Sequence, residues 1–554
     1  MNNVLYRTED IKDNEILDYF VESKMDRDII ESLKSKSPIL LMGSRGNGKT
    51  MLLKVAEQEL DKSFNDNRTL SVIVSFKKAG FLHEDESDFF NYWMMSKILI
   101  ALKRKLRKIT GIGEFNLFQE YYTSGLGSEE DIISKLVSFS DKLEKASKKR
   151  TPLEKEEIKE LAEGIIDDIK PVSEIEYFQE IIEELCESTG IDRIILYFDE
   201  ACHNFIPYQQ REFFTLFRDL RSPYISCKAA VYPGLTSFGT FQPFHDAELK
   251  TINRDILNDS YIKNMREILE KQMPEESFAK LLKTGQLLNH LIYASSGNPR
   301  LLLKSVFSAT NEFKIGLKTN IVNETIKNFY RNDIWSEHTK IADLYKNIKP
   351  LVNWGRDFIE DVVVPDTISK NNDWALKEED SRQTSFFCIH RDAPESVKKA
   401  MRLLEYSGVV ILHTQGTKVR KAVYDRYLLN VGIMVSQESN PSDLLVKIMP
   451  NLSVKLYTDY GMNSSKYPDL GEINGITDYQ GGEEIIKIIL QKSVNELDLT
   501  DYQKSLLIDA GINTIEQVLS GSESDLMRVP NVGKKRSRKI WNSAYNSVIE
   551  YVSG

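Results

Sequence analysis

The first half of the chain alternates short, continuous apolar runs with stretches of helical spacing. The runs are Pro38 to Met42, Leu70 to Phe76, Arg193 to Phe198, Lys228 to Tyr232 and Ala247 to Ile252. Runs this short, rich in Ile, Val and Leu and not alternating with polar residues, read as strands covered on both faces. Helical spacing marks Asp26 to Lys34, Met51 to Ala56, 88–107 and Tyr208 to Leu220. Strands alternating with helices predict an α/β fold, a doubly wound parallel sheet that takes its ligand at the C-terminal ends of the strands. From about 110 to 190 the sequence is charged and mainly helical, a long interval between two strand signals, and reads as a helical insertion on the sheet.

The second half changes rhythm. Residues 255–335 read as helical, with Ser295-Ser296-Gly297-Asn298-Pro299-Arg300 in their midst. Pro299 suits a first helical position, where its missing N–H costs nothing, and Arg300 then projects from that turn. Ser385 to His390 reads as a strand. Ala393 to Tyr406 reads as a helix with Val397, Ala400, Leu403 and Leu404 on one face, closed by Ser407-Gly408. Val409 to His413 and Lys421 to Leu429 read as strands around a hairpin at Thr414 to Lys418, with Lys418, Arg420 and Lys421 near its tip. This helix and hairpin resemble a winged-helix domain. Residues 437–480, rich in Ser, Asn, Asp, Pro and Gly, read as a linker. The last sixty-odd residues read as helices at Leu499 to Gly511, Thr514 to Leu519 and Ser537 onward, with the turn Val529-Pro530-Asn531-Val532-Gly533-Lys534-Lys535 before the last.

Length and composition narrow the classes. A protein of 554 residues exceeds one core and suggests about three or four domains. Hydrophobic residues at 41% and charged residues at 28% are ordinary for a soluble globular protein. The apolar runs fall short of a membrane span, and the polar, acidic N-terminus is no secretory signal, so a cytoplasmic protein without membrane partners is expected. Cys186, Cys202, Cys227 and Cys388 are scattered without CxxC spacing and read as buried, reduced residues. The histidines show no HExxH spacing. A net charge of −10 disfavours nucleic acid as a partner of the whole surface. Any such contact must come from local basic clusters, of which Lys145 to Arg150 and Lys534 to Lys539 stand out.

The chemistry concentrates in Gly43-Ser44-Arg45-Gly46-Asn47-Gly48-Lys49-Thr50, between the first strand and a helix opening at Met51. Glycines let the backbone curl so that successive N–H groups face a polyphosphate, and the helix start adds its positive end. Lys49 is expected on the β- and γ-phosphates and the Thr50 hydroxyl on Mg²⁺. The run at 194–198 ends in Asp199-Glu200. Asp199 is expected to hold Mg²⁺ and Glu200 to deprotonate the attacking water. The predicted activity is hydrolysis of ATP. Thr236 and Ser237, near the end of the next strand, are candidates for contact with the γ-phosphate or the water, and Arg300 for contact with the γ-phosphate.

Together these segments resemble the AAA+ ATPases and, within them, the origin-recognition-complex-like branch, close to the STAND signalling ATPases. The resemblance is carried by GSRGNGKT at 43–50, IILYFDE at 194–200, the strand ending near Thr236, and GNPRLLL at 297–303. It implies a P-loop ATPase core over 1–254, a helical lid over 255–335, a winged-helix-like domain over 336–436 and a linker region over 437–490. It also implies nucleotide-dependent self-association through an arginine finger, for which Arg218, Arg221 and Arg254 are candidates. Residues 491–554 resemble the C-terminal domain of the RNA polymerase alpha subunit, a helix-hairpin-helix unit. There the amides of Asn531 to Gly533 and the following helix start would grip a DNA phosphate, with charge from Lys534, Lys535 and Arg538. The resulting expectation is an ATPase that couples nucleotide state to DNA binding or to assembly with partner proteins. The alternative is a STAND-like signalling ATPase of an antiphage defence system, recruiting a separate effector.

Overall fold

The computed structural model describes residues 8–76, 87–109, 115–118, 128–146, 165, 169–204, 207–312, 314–344, 348–376, 381–419, 422–467 and 489–552. Its first sheet comprises β1 (Ile39–Met42), β2 (Thr69–Ser75), β3 (Arg193–Asp199), β4 (Ile225–Val231) and β5 (Glu248–Thr251). All pair in parallel, in the order β2-β3-β4-β1-β5. Successive side chains leave a strand on opposite faces, so one strand serves two cores. Ile39, Leu41, Ile195 and Tyr197 meet α1 (Lys24–Leu33) and α2 (Lys49–Lys62) through Ile29, Ile30, Leu33, Leu52 and Val55. Leu40, Leu196 and Phe198 face the other way. They join the core of α3 (Ser87–Leu106), α4 (Glu129–Ala146), α5 (Ile175–Thr189) and α6 (Pro207–Asp219). α3, α4 and α5 belong to the interval between β2 and β3, so the described part of the expected insertion is mainly helical.

The helices that follow include α7 (Tyr261–Gln272), α8 (Gly285–Ala294), α9 (Pro299–Ala309), α10 (Thr319–Asn328) and α11 (Ile334–Leu344). Next come α12 (Lys349–Asp357) and α13 (Val364–Ala375). A second sheet, ordered β7-β8-β6-β9, combines β6 (Phe386–His390), β7 (Val410–Val419), β8 (Ala422–Leu429) and β9 (Thr458–Tyr460). Between β6 and β7 lies α14 (Glu395–Tyr406). Leu351 and Val352 of α12 enter the core of the first sheet, whereas α7–α11, α13 and the second sheet share a core from Met265 and Leu291 to Phe386, Val397 and Leu428. α14 is buried on two sides. Val397, Met401 and Leu404 enter that core, while Leu403 and Tyr406 enter the core of the first sheet.

Two sequence expectations are corrected. The hairpin does not turn at Thr414 to Lys418. β7 continues through that stretch to Val419, which pairs with Ala422; Arg420 and Lys421 lie outside the described residues. The register shifts between Leu412 and Thr417, where Gly416 takes φ 69° and its N–H donates to Asp425 Oδ1 at 3.0 Å. A bulge absorbs the Gly that sequence reading took for a turn. Nor is 437–467 a linker. Pro441 opens α15 (Pro441–Ile448), which buries Leu445 and Ile448, and β9 pairs in parallel with β6. Asn323 Oδ1 accepts from both the N–H and the hydroxyl of Ser442, at 2.9 and 2.6 Å. Polar composition here reflects capping and turns rather than an unpacked segment.

The C-terminal helices are α16 (Asp501–Asp509), α17 (Ile515–Leu519), α18 (Glu523–Leu526) and α19 (Lys534–Val552). Thr500, Thr514 and Ser522 each cap a helix reciprocally with the residue three positions on. Leu507, Ile515, Val518, Leu526, Ile540 and Trp541 form a core of their own. α19 also rests on α14. Cys186, Cys202, Cys227 and Cys388 are all buried thiols. No described helix is long and apolar enough to cross a membrane.

Candidate nucleotide site

β1 ends at Met42, and the backbone curls through Gly43–Gly48 into α2. Gly46 and Gly48 take φ of 90° and 91°, a region that side chains disfavour. A Cβ on Gly46 would stand 2.8 Å from both Arg300 Cβ and Asn298 Oδ1, so glycine is required there for approach as well as for conformation. Thr50 and Met51 occupy the first turn of α2 beside Lys49. Because β4 lies between β1 and β3, the loop and the acidic pair are separated by one strand, and the side chains close the gap. The Thr50 hydroxyl donates to Asp199 Oδ2 at 2.8 Å. Glu200, next to it, has φ 66° and donates its N–H to Asp199 Oδ1 at 3.0 Å. A non-glycine residue in that conformation is uncommon and concentrates at functional sites.

Lys49 is 5% exposed. Its ammonium donates to the carbonyls of Gly43 and Ser44 at 2.7 and 3.1 Å and lies 3.6 Å from the centre of the Tyr232 ring. Burial pushes its pKa down to about 7, against the raising influence of Asp199 and Glu200 and with a further lowering by Arg300. The segment Gly43-Ser44-Arg45-Gly46-Asn47-Gly48 is held from outside at several points, among them a bond from the Asn47 side-chain amide to Ile252 O at 3.4 Å. Arg45 N–H donates to the carbonyl of Tyr406 at 3.1 Å. Asn298, which caps α9 by accepting from the N–H groups of Arg300 and Leu301, donates its amide to Arg45 O at 2.9 Å. Arg254 donates to Asn47 O at 2.9 Å and to Asp26 Oδ1 at 3.2 Å. Pro299 takes the first position of α9, and the Arg300 Nε is buried without a hydrogen-bond partner.

Some candidates stand elsewhere than expected. The Thr236 hydroxyl is occupied in a turn, accepting from Tyr232 N–H at 3.0 Å and donating to Tyr232 O at 2.7 Å. Ser237 is buried, and its N–H donates to Gln210 Oε1 at 2.6 Å. The residue that follows β4 onto Lys49 is Tyr232, which sequence reading passed over. Its one signal was its place directly after the strand. Arg254 donates to the loop at 43–48 within its own chain, whereas Arg218 and Arg221 are exposed at the end of α6. Among the described residues, no cluster of three or more His, Cys, Asp or Glu is poised to hold a metal. Thr50 and Asp199 offer a hydroxyl and a carboxylate, a donor set that suits a hard cation keeping several waters. Beside α1, a cleft of about 400 Å³ is lined by Met25, Ile29, Lys250, Thr251 and Asn258.

The family model described as ORC-CDC6-like matches residues 4–284, just over half of the chain. The chain belongs to the ORC-CDC6-like family. Its AAA+ fold shows the strand order set out above. A second model, for the C-terminal domain of the bacterial RNA polymerase alpha subunit, matches residues 482–543 of this ORC-CDC6-like protein. Among curated proteins, the DNA-directed RNA polymerase subunit alpha of Desulforamulus reducens is 37% identical over 57 residues, covering 10% of this chain and 18% of that subunit. That of Alkaliphilus metalliredigens is 40% identical over 52 residues, covering 9% and 16%. The match thus spans less than a quarter of the length of these relatives. Among solved structures, the Aeropyrum pernix ORC1 protein in complex with DNA aligns at 12% identity and a TM-score of 0.31, over 78% of this chain and 96% of that one. The Thermotoga maritima RuvB Holliday junction branch migration motor aligns at 13% and 0.27, over 60% and 79%.

In the C-terminal unit, Lys534, Lys535, Arg536 and Lys539 are exposed at the start of α19. Arg538, expected beside them as a DNA contact, is instead turned inward. It pairs with Glu523 and donates to Met462 O at 2.7 Å and Asn463 Oδ1 at 2.9 Å. The N–H of Val532, one of the amides expected to face a phosphate, is bonded to Val529 O at 3.0 Å.

Proposed function

We propose that this protein binds ATP with Mg²⁺, hydrolyses it, and uses nucleotide state to govern how its C-terminal module meets DNA. The observation that supports hydrolysis best is the convergence of Lys49 and Thr50, at the start of α2, with Asp199 and Glu200, at the end of β3, with Thr50 and Asp199 in direct contact. In this reading the amides of Gly43 to Met51 surround the phosphates. Lys49 turns from the loop carbonyls to the β- and γ-phosphate oxygens. Thr50 and Asp199 are the residues that would hold Mg²⁺, which supplies charge neutralisation to the phosphates when bound. Glu200 draws a proton from the attacking water, and Arg300, carried on the lid with Asn298, meets the γ-phosphate. The cleft lined by Met25, Ile29 and Asn258 is the place we assign to the base.

DNA contact is assigned to the exposed lysines and arginine at the start of α19. It is phosphate-directed and so tolerant of sequence. α14 would be a poor recognition helix in this arrangement, since both of its sides are packed. In this reading the exposed Arg218 and Arg221 are assigned to reach a neighbouring copy. Replacing Glu200 with Gln tests the assignment. ATP should still bind with affinity close to that of the parent, while turnover falls on the order of a hundredfold or more. Unchanged turnover would remove Glu200 as the base.

A further inference from the structure

Tyr232 follows β4, the strand between the phosphate loop and the acidic pair, and therefore lies at the centre of the nucleotide site. Its ring takes the Lys49 ammonium on its face at 3.6 Å. The same ring meets that of Tyr406 edge to face, with centroids 5.4 Å apart. Tyr406 is the last residue of α14, and its carbonyl accepts the Arg45 N–H of the phosphate loop. Two residues after Tyr232, Gly234 lies backbone to backbone on α14. With φ 75°, it would place a Cβ 2.6 Å from the Arg402 carbonyl carbon and 2.8 Å from Leu403 N. The last turn of α14 thus bears on the phosphate loop, on Tyr232 and on the turn after β4.

A polyphosphate arriving at the loop competes for the charge that Tyr232 now faces. An ammonium cannot keep its carbonyl partners and the ring face while donating to phosphate oxygens. Removing it from a desolvated ring forfeits a cation–π contact. Resting on the proposal that the site takes ATP, we propose that Tyr232 is a positioning residue through which triphosphate and α14 compete. With Lys49 on its ring, Tyr232 supports Tyr406 and α14 is seated on the loop. When a triphosphate takes Lys49, Tyr232 loses that partner and the last turn of α14 loosens. Because α19 rests on α14, the loosening reaches the module that carries the exposed basic residues.

The experiment uses the full-length protein at about pH 6, where Lys49 is charged without ligand, with hydrogen exchange read over 395–408 and binding of a slowly hydrolysed ATP analogue with Mg²⁺ measured in parallel. In the parent protein the analogue should raise exchange in the last turn of α14. Tyr232→Ala should show raised exchange without ligand, no further rise with it, and analogue binding tighter on the order of tenfold. Tyr232→Phe, which keeps the ring, should behave as the parent. Gly234→Ala leaves Lys49 and its ring intact and wedges α14 away, so it should also raise ligand-free exchange. It keeps the test decisive should Tyr232→Ala fold poorly. If the parent binds the analogue and α14 exchange does not change, or if Tyr232→Ala binds no tighter and responds as the parent does, the inference fails while the nucleotide site stands. If the parent binds no analogue at all, the site reading itself fails and this inference falls with it.

Discussion

At the scale of single residues, Lys49 carries the sharpest consequence. Its ordinary pKa of 10.5 is brought down to about 7 by burial, with Asp199 and Glu200 opposing and Arg300 assisting. Between these values the folded, ligand-free protein binds fewer protons than the unfolded one. Through this group, stability therefore rises with pH across that window and is lost as pH falls through about 7. Phosphate oxygens favour the charged form, so nucleotide binding above pH 7 should take up a proton at Lys49 and weaken as pH climbs toward 10. Calorimetry at pH 8 in buffers of different ionisation enthalpy should register uptake of up to one proton, absent in Lys49→Ala. The motif at 43–50 was legible because its spacing is local: three glycines, a lysine and a threonine within eight residues. Tyr232 was not, because its role comes from strand order. Only when β4 inserts between β1 and β3 does the residue after it come to lie against Lys49.

At the scale of elements, the parallel strands and their helices could be read from apolar runs, since burial on both faces leaves few other sequences possible. The start of α9 was readable too, because Pro299 and its Asn298 cap act within a single turn. Reading failed where long-range pairing overrides local composition. Gly416 looked like a hairpin turn and is a bulge in a continuing strand; Thr458–Tyr460 sits in polar sequence and is recruited by β6. Arg538 shows the same limit, since its neighbours in sequence are exposed and it is not. Its guanidinium joins α18 to residues 462–463 as well as to α19. Arg538→Ala should strand Glu523 and destabilise the C-terminal unit by about 3 kcal/mol. Hydrogen exchange along α19 would measure this, with the exposed Lys535→Ala as the near-neutral comparison.

At the scale of the molecule, the helices after β5 and the second sheet share one core, and α14 joins that core to the core of the first sheet. Any motion of α9 would therefore carry the second sheet with it, and the loop at 43–48 is tied to both through Asn298 and Tyr406. The net charge of −10 confines the proposed DNA contact to local basic surfaces. Replacing Lys534 and Lys535 together by Ala should weaken duplex binding across unrelated sequences. It should also reduce the slope of log affinity against log salt by about 2, read by titration at several salt concentrations. The central claim is that residues 43–51, Asp199 and Glu200 form a site for Mg-ATP, and the most direct test is equilibrium binding of ATP to the full-length protein with and without Mg²⁺. The account predicts saturable binding that is strengthened by Mg²⁺ and weakened at least about tenfold in Lys49→Ala. Binding that is absent in the parent protein, or equally strong in Lys49→Ala, would contradict it.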